Sequence, residues 1–189
     1  MRTKLDNSTN RMIGIPRRYW GAYLDEIEPL NDEQKSCIQK MLDLERGKYW
    51  ALVVLGTVGN GKTTLACSLA SLHEYYHSFN SLYITQEDLL DKCRNAMNDR
   101  SEANVLERYM RCGLLIIDEL SKATWTEYAK TTMQKIFRYR HAEKLRTVAI
   151  GNLDVSTFKG MFDDHILSRF REGETQIMKA DDMRLHGEF

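Results

Sequence analysis

Residues 56–64 read "GTVGNGKTT". Gly56, Gly61, Lys62 and Thr63 fall on the spacing G-x-x-x-x-G-K-[ST], a phosphate-binding loop. The chemistry needs that order. Glycines let the backbone curl until its N–H groups point at phosphate oxygens. The helix that follows adds a field favourable to anions. Upstream, "YWALVVLG" (49–56) is a continuous apolar run, as expected of a strand buried on both faces. Downstream, "GKTTLACSLASLHEYYH" (61–77) has helical spacing, with Leu65, Leu69 and Leu72 on one side. Strand, loop and helix are the context the motif demands. Gly56, Thr57, Val58, Gly59, Asn60, Gly61, Lys62, Thr63 and Thr64 are therefore expected to wrap the phosphates of ATP. Lys62 is expected on the β- and γ-phosphates and Thr63 on Mg²⁺.

A second segment completes the set. "LLIIDEL" (114–120) is an apolar strand that delivers Asp118 to the sheet edge beside the loop. Asp118 is suited to hold Mg²⁺ through water, and Glu119 to orient and polarise an attacking water. Around these, strands and helices alternate. Asn31 can cap "DEQKSCIQKMLDLER", with Gln34 closing a capping box and Gly47 stopping the helix. "SLYIT" is a second strand, and Thr85 and Ser101 can cap the two helices after it. "TEYAKTTMQKIFRYRHAEK" is a long helix, "TVAIGN" a fourth strand and "TQIMKA" a fifth. Alternation implies α/β architecture, a parallel sheet covered on both faces. Residues 1–30, which hold both prolines, read as an irregular arm, 31–180 as the ATPase core and 181–189 as a tail.

One stretch points elsewhere. "HEYYH" (73–77) matches the His-Glu-x-x-His of zinc proteases. Such a site needs a third ligand. Where an extended protease motif would place glycine and a third histidine stand Asn80 and Tyr83, and no downstream glutamate motif replaces them. The two histidines are therefore read as ordinary residues of a helix end, where a cationic side chain is mildly favourable.

Composition narrows the class. The 189 residues suit one domain; 27 basic residues balance 27 acidic ones, so no polyanion-binding tail is indicated. Four scattered cysteines form neither a zinc ribbon nor a disulfide framework, and reduced thiols in a cytoplasmic protein are expected. The N-terminus lacks the apolar core of a signal peptide, and no apolar run has the length of a membrane span.

"GTVGNGKTTLA", "LLIIDEL", "TVAIGNL" and "ILSRF", in this order and with "GIPRRYW" upstream, resemble AAA+ ATPases of the DnaC/IstB group. That group takes in bacterial helicase loaders and IstB-like transposition helpers. The resemblance runs over residues 13–184 and implies a three-layer P-loop NTPase sandwich on a five-stranded parallel sheet. It implies Asn152 as the residue that senses the γ-phosphate and Arg169 as an arginine finger for a neighbouring subunit, with Arg171 as the alternative finger. It implies Arg184 as a nucleotide-sensing arginine near the end of the chain, and Ile15, Arg18 and Tyr19 as residues that close over adenine. A helical lid is expected to be reduced or absent.

Function follows as expectation. The leading reading is an ATP-hydrolysing, self-associating switch that loads a replicative helicase. A transposition helper that recruits a transposase is the alternative, followed by a P-loop kinase and an ATP-gated binding module. The tandem Asp118-Glu119 favours water over a kinase acceptor. Single-stranded DNA is a further expected partner, through Lys135, Arg138, Arg140, Lys144 and Arg146 with Phe137 and Tyr139, and through Arg94, Arg100, Arg108 and Arg111.

Overall fold

A computed structural model describes residues 5–78, 80–97 and 101–179. The strands are β1 (Ala51–Gly56), β2 (Ser81–Thr85), β3 (Leu114–Leu120), β4 (Arg146–Gly151) and β5 (Glu174–Met178). The helices are α1 (Asn7–Met12), α2 (Asp32–Glu45), α3 (Lys62–His77), α4 (Gln86–Met97), α5 (Glu102–Arg111), α6 (Glu127–Ala142), α7 (Val155–Met161) and α8 (Asp164–Phe170). All five strands are parallel, in the order β2-β3-β4-β1-β5. This is the expected three-layer α/β sandwich.

Strand alternation sorts the core into its two halves. Leu52 and Val54 of β1, Leu114 and Ile116 of β3, and Val148 and Ile150 of β4 face α2, α3 and the N-terminal segment. Val53 and Leu55, Leu115 and Ile117, and Ala149 face α4, α5, α6 and α8. Sheet residues buried on both sides read as unbroken apolar runs for this reason.

Local chemistry sets most boundaries. Asn31 Oδ1 accepts from Gln34 N at 2.9 Å, and Gln34 Oε1 reaches back to Leu30 N, also at 2.9 Å. Thr85 Oγ1 accepts from Asp88 N at 3.1 Å, but Ser101 sits at the start of α5 with no cap bond from its side chain. Two short helices, α7 and α8, fill the stretch between β4 and β5; Asp154 and Asp163 cap them.

The irregular arm needs correction. Residues 5–30 include α1, capped by Asp6, and two 3₁₀ turns, Arg17–Tyr19 and Leu24–Glu26. Ile13, Ile15, Tyr23 and Leu24 are buried in the core. Tyr83 N of edge strand β2 donates to Ile13 O at 2.7 Å, so the segment covers a sheet edge that would otherwise be open. Gly14 makes this possible: its φ is +86°, and a Cβ there would lie 2.3 Å from Tyr83 O. Ile15, expected over adenine, belongs to this core instead. Arg184, Arg100 and the tail 181–189 lie outside the described residues.

Candidate functional site

β1 ends where the loop begins, at the C-terminal edge of the sheet, where open α/β sheets bind ligands. Gly56 has φ +143°, and a Cβ would stand 1.8 Å from Met178 O, so only glycine fits between β1 and β5. Gly59 and Gly61 also take positive φ, at +85° each. Asn60 is buried and ties the loop down, its Nδ2 donating to Met178 O and to Thr57 Oγ1. Lys62 Nζ donates to Asn60 Oδ1 at 2.8 Å, to Gly56 O at 3.3 Å and to Thr57 O. The ammonium is thus held over the loop by oxygens of the loop itself.

Asp118 faces the start of α3 from the end of β3 and is 3% exposed. Its Oδ2 accepts from Thr63 Oγ1 at 2.7 Å and from Tyr83 Oη at 2.9 Å; its Oδ1 accepts from Glu119 N at 2.7 Å. Burial raises the Tyr83 hydroxyl pKa well above its usual value, and the Asp118 charge adds to this. Tyr83 therefore stays a donor to the carboxylate. Glu119 differs from both neighbours. The β3–β4 register shifts between Ile117 and Leu120, and Glu119 has φ +58°. Such a bulge re-aims one side chain, and a left-handed non-glycine residue is uncommon. Glu119 is exposed while Asp118 and Leu120 are buried.

These residues meet in one cleft of about 430 Å³, lined by the loop residues Val58 to Thr64, Asp118, Glu119, Asn152, Arg18 and Tyr19. Asn152 follows β4 and also borders a groove with Glu119 and Leu153. The Arg18 guanidinium lies 4.6 Å from the Tyr19 ring centroid. The arrangement sets a cation, a hydroxyl, a buried carboxylate and an exposed carboxylate around a space with anion-binding backbone. Sequence reasoning misses Tyr83, because nothing in "SLYIT" marks its hydroxyl as aimed at Asp118.

Arg169 does not join them. Its backbone O accepts from Trp50 Nε1 at 2.9 Å, and its Nη1 donates to His165 O at 2.6 Å. Trp50 precedes β1, and the loop follows β1, a strand run of roughly 17 Å away. Arg169 is half-buried near the opposite sheet end, with Arg171 exposed beside it.

The expected basic face loses two members. Arg140 is fully buried and donates to the carbonyls of Tyr109, Met110, Cys112 and Arg146 at 2.6–3.1 Å. It closes loop ends that would otherwise carry unpaired carbonyls. Phe137 is core beside Phe162 and Phe170.

HEYYH occupies the last turns of α3, roughly 18 Å from the loop. Glu74 is buried; its Oε2 accepts from Ser81 Oγ at 2.7 Å, Ser81 N at 3.1 Å and Asn80 N at 3.2 Å, anchoring the start of β2. His73 and His77 are not ordinary helix-end residues. Both face one carboxylate, Glu45 of α2, at 2.8 and 3.2 Å.

Comparison with known proteins agrees with this fold. The model of the family described as IstB-like ATP binding protein matches residues 38–170. The replicative helicase loader DnaC of Buchnera aphidicola subsp. Acyrthosiphon pisum (strain APS) is 27% identical over 168 residues, 86% of this chain and 68% of that protein. The chain spans about half the length of other DnaC relatives, 53% for that of Escherichia coli (strain K12). A crystal structure of the DnaC helicase loader superposes with TM-score 0.76 at 18% identity, covering 87% of this chain and all of that one. The replication initiator DnaA bound to AMPPCP and single-stranded DNA superposes with TM-score 0.73 at 16% identity, covering 89% and 52%.

Proposed function

Because the chain belongs to the family of IstB-like ATP binding proteins, we propose that it is a Mg²⁺-dependent ATPase that acts in DNA replication as a helicase loader. The observation that carries the ATPase reading is the 2.7 Å bond from Thr63 Oγ1 to Asp118 Oδ2, one residue from the out-turned Glu119. It joins the phosphate loop to the carboxylates that hydrolysis needs. A hydroxyl and a carboxylate are hard oxygen donors, which fits Mg²⁺. When bound, Mg²⁺ neutralises charge on the β- and γ-phosphate oxygens.

The chain's own groups have distinct tasks. Gly56 to Gly61 present N–H groups to the phosphates, and Lys62 exchanges the loop oxygens it now holds for phosphate oxygens. Asp118, oriented by Thr63 and Tyr83, would hold the metal side. Glu119 takes a water in line with the γ-phosphate and polarises it. Asn152, across the cleft, contacts that phosphate and helps place the water. Arg18 and Tyr19 border the same cleft and are the residues suited to close over the base. Arg169 cannot serve its own loop from the far sheet end. It serves the loop of an adjacent copy, so the working form is a self-oligomer with shared sites.

The loader assignment is supported by relatives named as replicative helicase loaders. A cytoplasmic setting goes with it; no helix among the described residues is long and apolar enough to cross a membrane. Contact with single-stranded DNA falls to the exposed cations Arg94, Arg108, Arg111, Lys135, Arg138 and Lys144. The IstB-like family name favours a second reading, a transposition helper with the same ATP chemistry. Phosphate release with no acceptor present tests the ATPase, and a kinase would give none. Co-purification in ATP with a hexameric replicative helicase, and not with a transposase, is the result expected of a loader; the reverse selectivity overturns that assignment.

A further inference from the structure

The nucleotide site leaves the other end of α3 unused, and the chemistry there is of a different kind. We propose that Glu45, His73 and His77 form a Zn²⁺ site that staples the end of α2 to the end of α3. The sequence motif supplies two imidazoles one helical turn apart. The third donor comes from 28 residues upstream of His73, across a helix–helix interface. Glu45 Oε2 lies 2.8 Å from His73 Nδ1, and Glu45 Oε1 lies 3.2 Å from His77 Nε2. The donor atoms of the three side chains all fall within 4.8 Å of one another. Ligand atoms about 2.0–2.1 Å from a tetrahedral Zn²⁺ stand roughly 3.3 Å apart. The donors are therefore already close to ligand spacing, and small side-chain shifts open the centre.

The surroundings suit such a site. His73 is 1% exposed at its side chain and Glu45 10%, whereas His77 is 41% exposed and gives a way in from solvent. Two imidazoles and one carboxylate, with water as the fourth ligand, select Zn²⁺ over the Mg²⁺ of the nucleotide site. Arg146 donates through Nε to Glu45 O at 3.0 Å and lies 3.9 Å from Glu45 Oε2. It orients the carboxylate from behind, and its charge opposes the incoming ion, which limits affinity. The imidazoles bind as neutral bases and Glu45 as carboxylate.

The site is a staple and not a hydrolytic centre. Glu74, which in a protease would activate the metal-bound water, is buried with its carboxylate committed to Ser81 and Asn80.

The test is calorimetric titration of the full chain with Zn²⁺ in excess Mg²⁺, alongside Co²⁺ as a spectroscopic substitute. One Zn²⁺ per chain is expected, with tetrahedral Co²⁺ absorption free of thiolate charge-transfer bands. Tm should rise by roughly 5–10 °C at Zn²⁺ 100-fold above Kd. His77→Gln keeps a polar partner for Glu45 but loses the ligand. Outer-shell partners alone are worth roughly 10–100-fold in affinity, so this variant should bind at least about 100-fold more weakly. Its Tm without metal, matched to that of the parent protein, shows that it folds. Should His77→Gln unfold, Arg146→Lys tests the same site through a weaker, graded change in Zn²⁺ affinity. Absence of stoichiometric Zn²⁺ binding, thiolate bands in the Co²⁺ spectrum, or unchanged affinity in the variants would overturn the site.

Discussion

The two ends of α3 make an instructive pair. At its start, Gly61 and Lys62 belong to a loop whose partners are mostly its own neighbours: Asn60, Thr57 and Gly56 all bond Lys62 Nζ. At its end, His73 and His77 converge on Glu45, a residue of another helix. Both ends carry a recognisable pattern. The first is a contiguous stretch that builds its own geometry, so the sequence spells out the site. The second is completed by a contact between elements, and reading along the chain for a third ligand downstream looks in the wrong direction. A linear motif is legible in proportion to how much of its site is local.

Variants can set the two ends apart, and those acting on the nucleotide end should have the greatest effects. Arg169→Ala is expected to leave folding and ATP binding in place and to reduce ATP turnover by on the order of 10³–10⁵. Phosphate release beside an equilibrium nucleotide titration reads this. Glu119→Gln should lower turnover by about 10²–10⁴ while ATP still binds, because an amide keeps the shape but does not polarise water. Loss of nucleotide binding in this variant instead would place Glu119 in the metal or structural set.

Asp163→Ala reaches Arg169, the proposed finger, through its helix. Asp163 Oδ1 accepts from Ile166 N at 2.8 Å and caps α8. Its removal should cost about 1 kcal/mol, read as a drop in Tm of roughly 2–4 °C. The Ile166 N–H holds the Asp163 carboxyl below its usual 3.8, against the opposing effect of burial and with help from Arg138. A lowered folded pKa means that this stability is present above the unfolded pKa. It is lost as pH falls through the lower folded value, below about pH 4. The gap between parent and variant Tm should therefore shrink in acid. Smallest of all is the effect of His77→Gln on phosphate release, where no change is expected. A clear loss of turnover there would link the two ends of α3, which otherwise act separately.

The legibility of the rest follows the same rule. The sheet and its helices are readable because buried parallel strands are unbroken apolar runs, as in "LVVL" and "LLII". Asn31 and Thr85 are readable as caps because capping is a contact over three residues. The N-terminal segment is not readable, since Ile13 and Gly14 gain their meaning from Tyr83, far along the chain. Tyr83 escapes notice as a partner of Asp118 for the same reason. "KIFRYRHAEKLR" misleads by its composition: Arg140 and Phe137 point into the molecule at helical spacing, and only Lys135, Arg138 and Lys144 of the expected cations there are exposed. In the cleft itself, identity is legible but aim is not. The left-handed backbone that turns Glu119 outward has no signature in "DEL".

On the shared-site reading, the loop end of α3 works only when a second copy supplies Arg169. The decisive experiment is phosphate release per chain against protein concentration, for the parent protein, for Arg169→Ala, for Lys62→Ala and for an equal mixture of the two variants. Each variant retains the half-site that the other lacks. Turnover per chain is predicted to rise with concentration in the parent, to be lost in each variant alone, and to return in part in the mixture. Turnover that is flat with concentration, with no rescue in the mixture, would contradict the shared site and leave a self-contained P-loop enzyme.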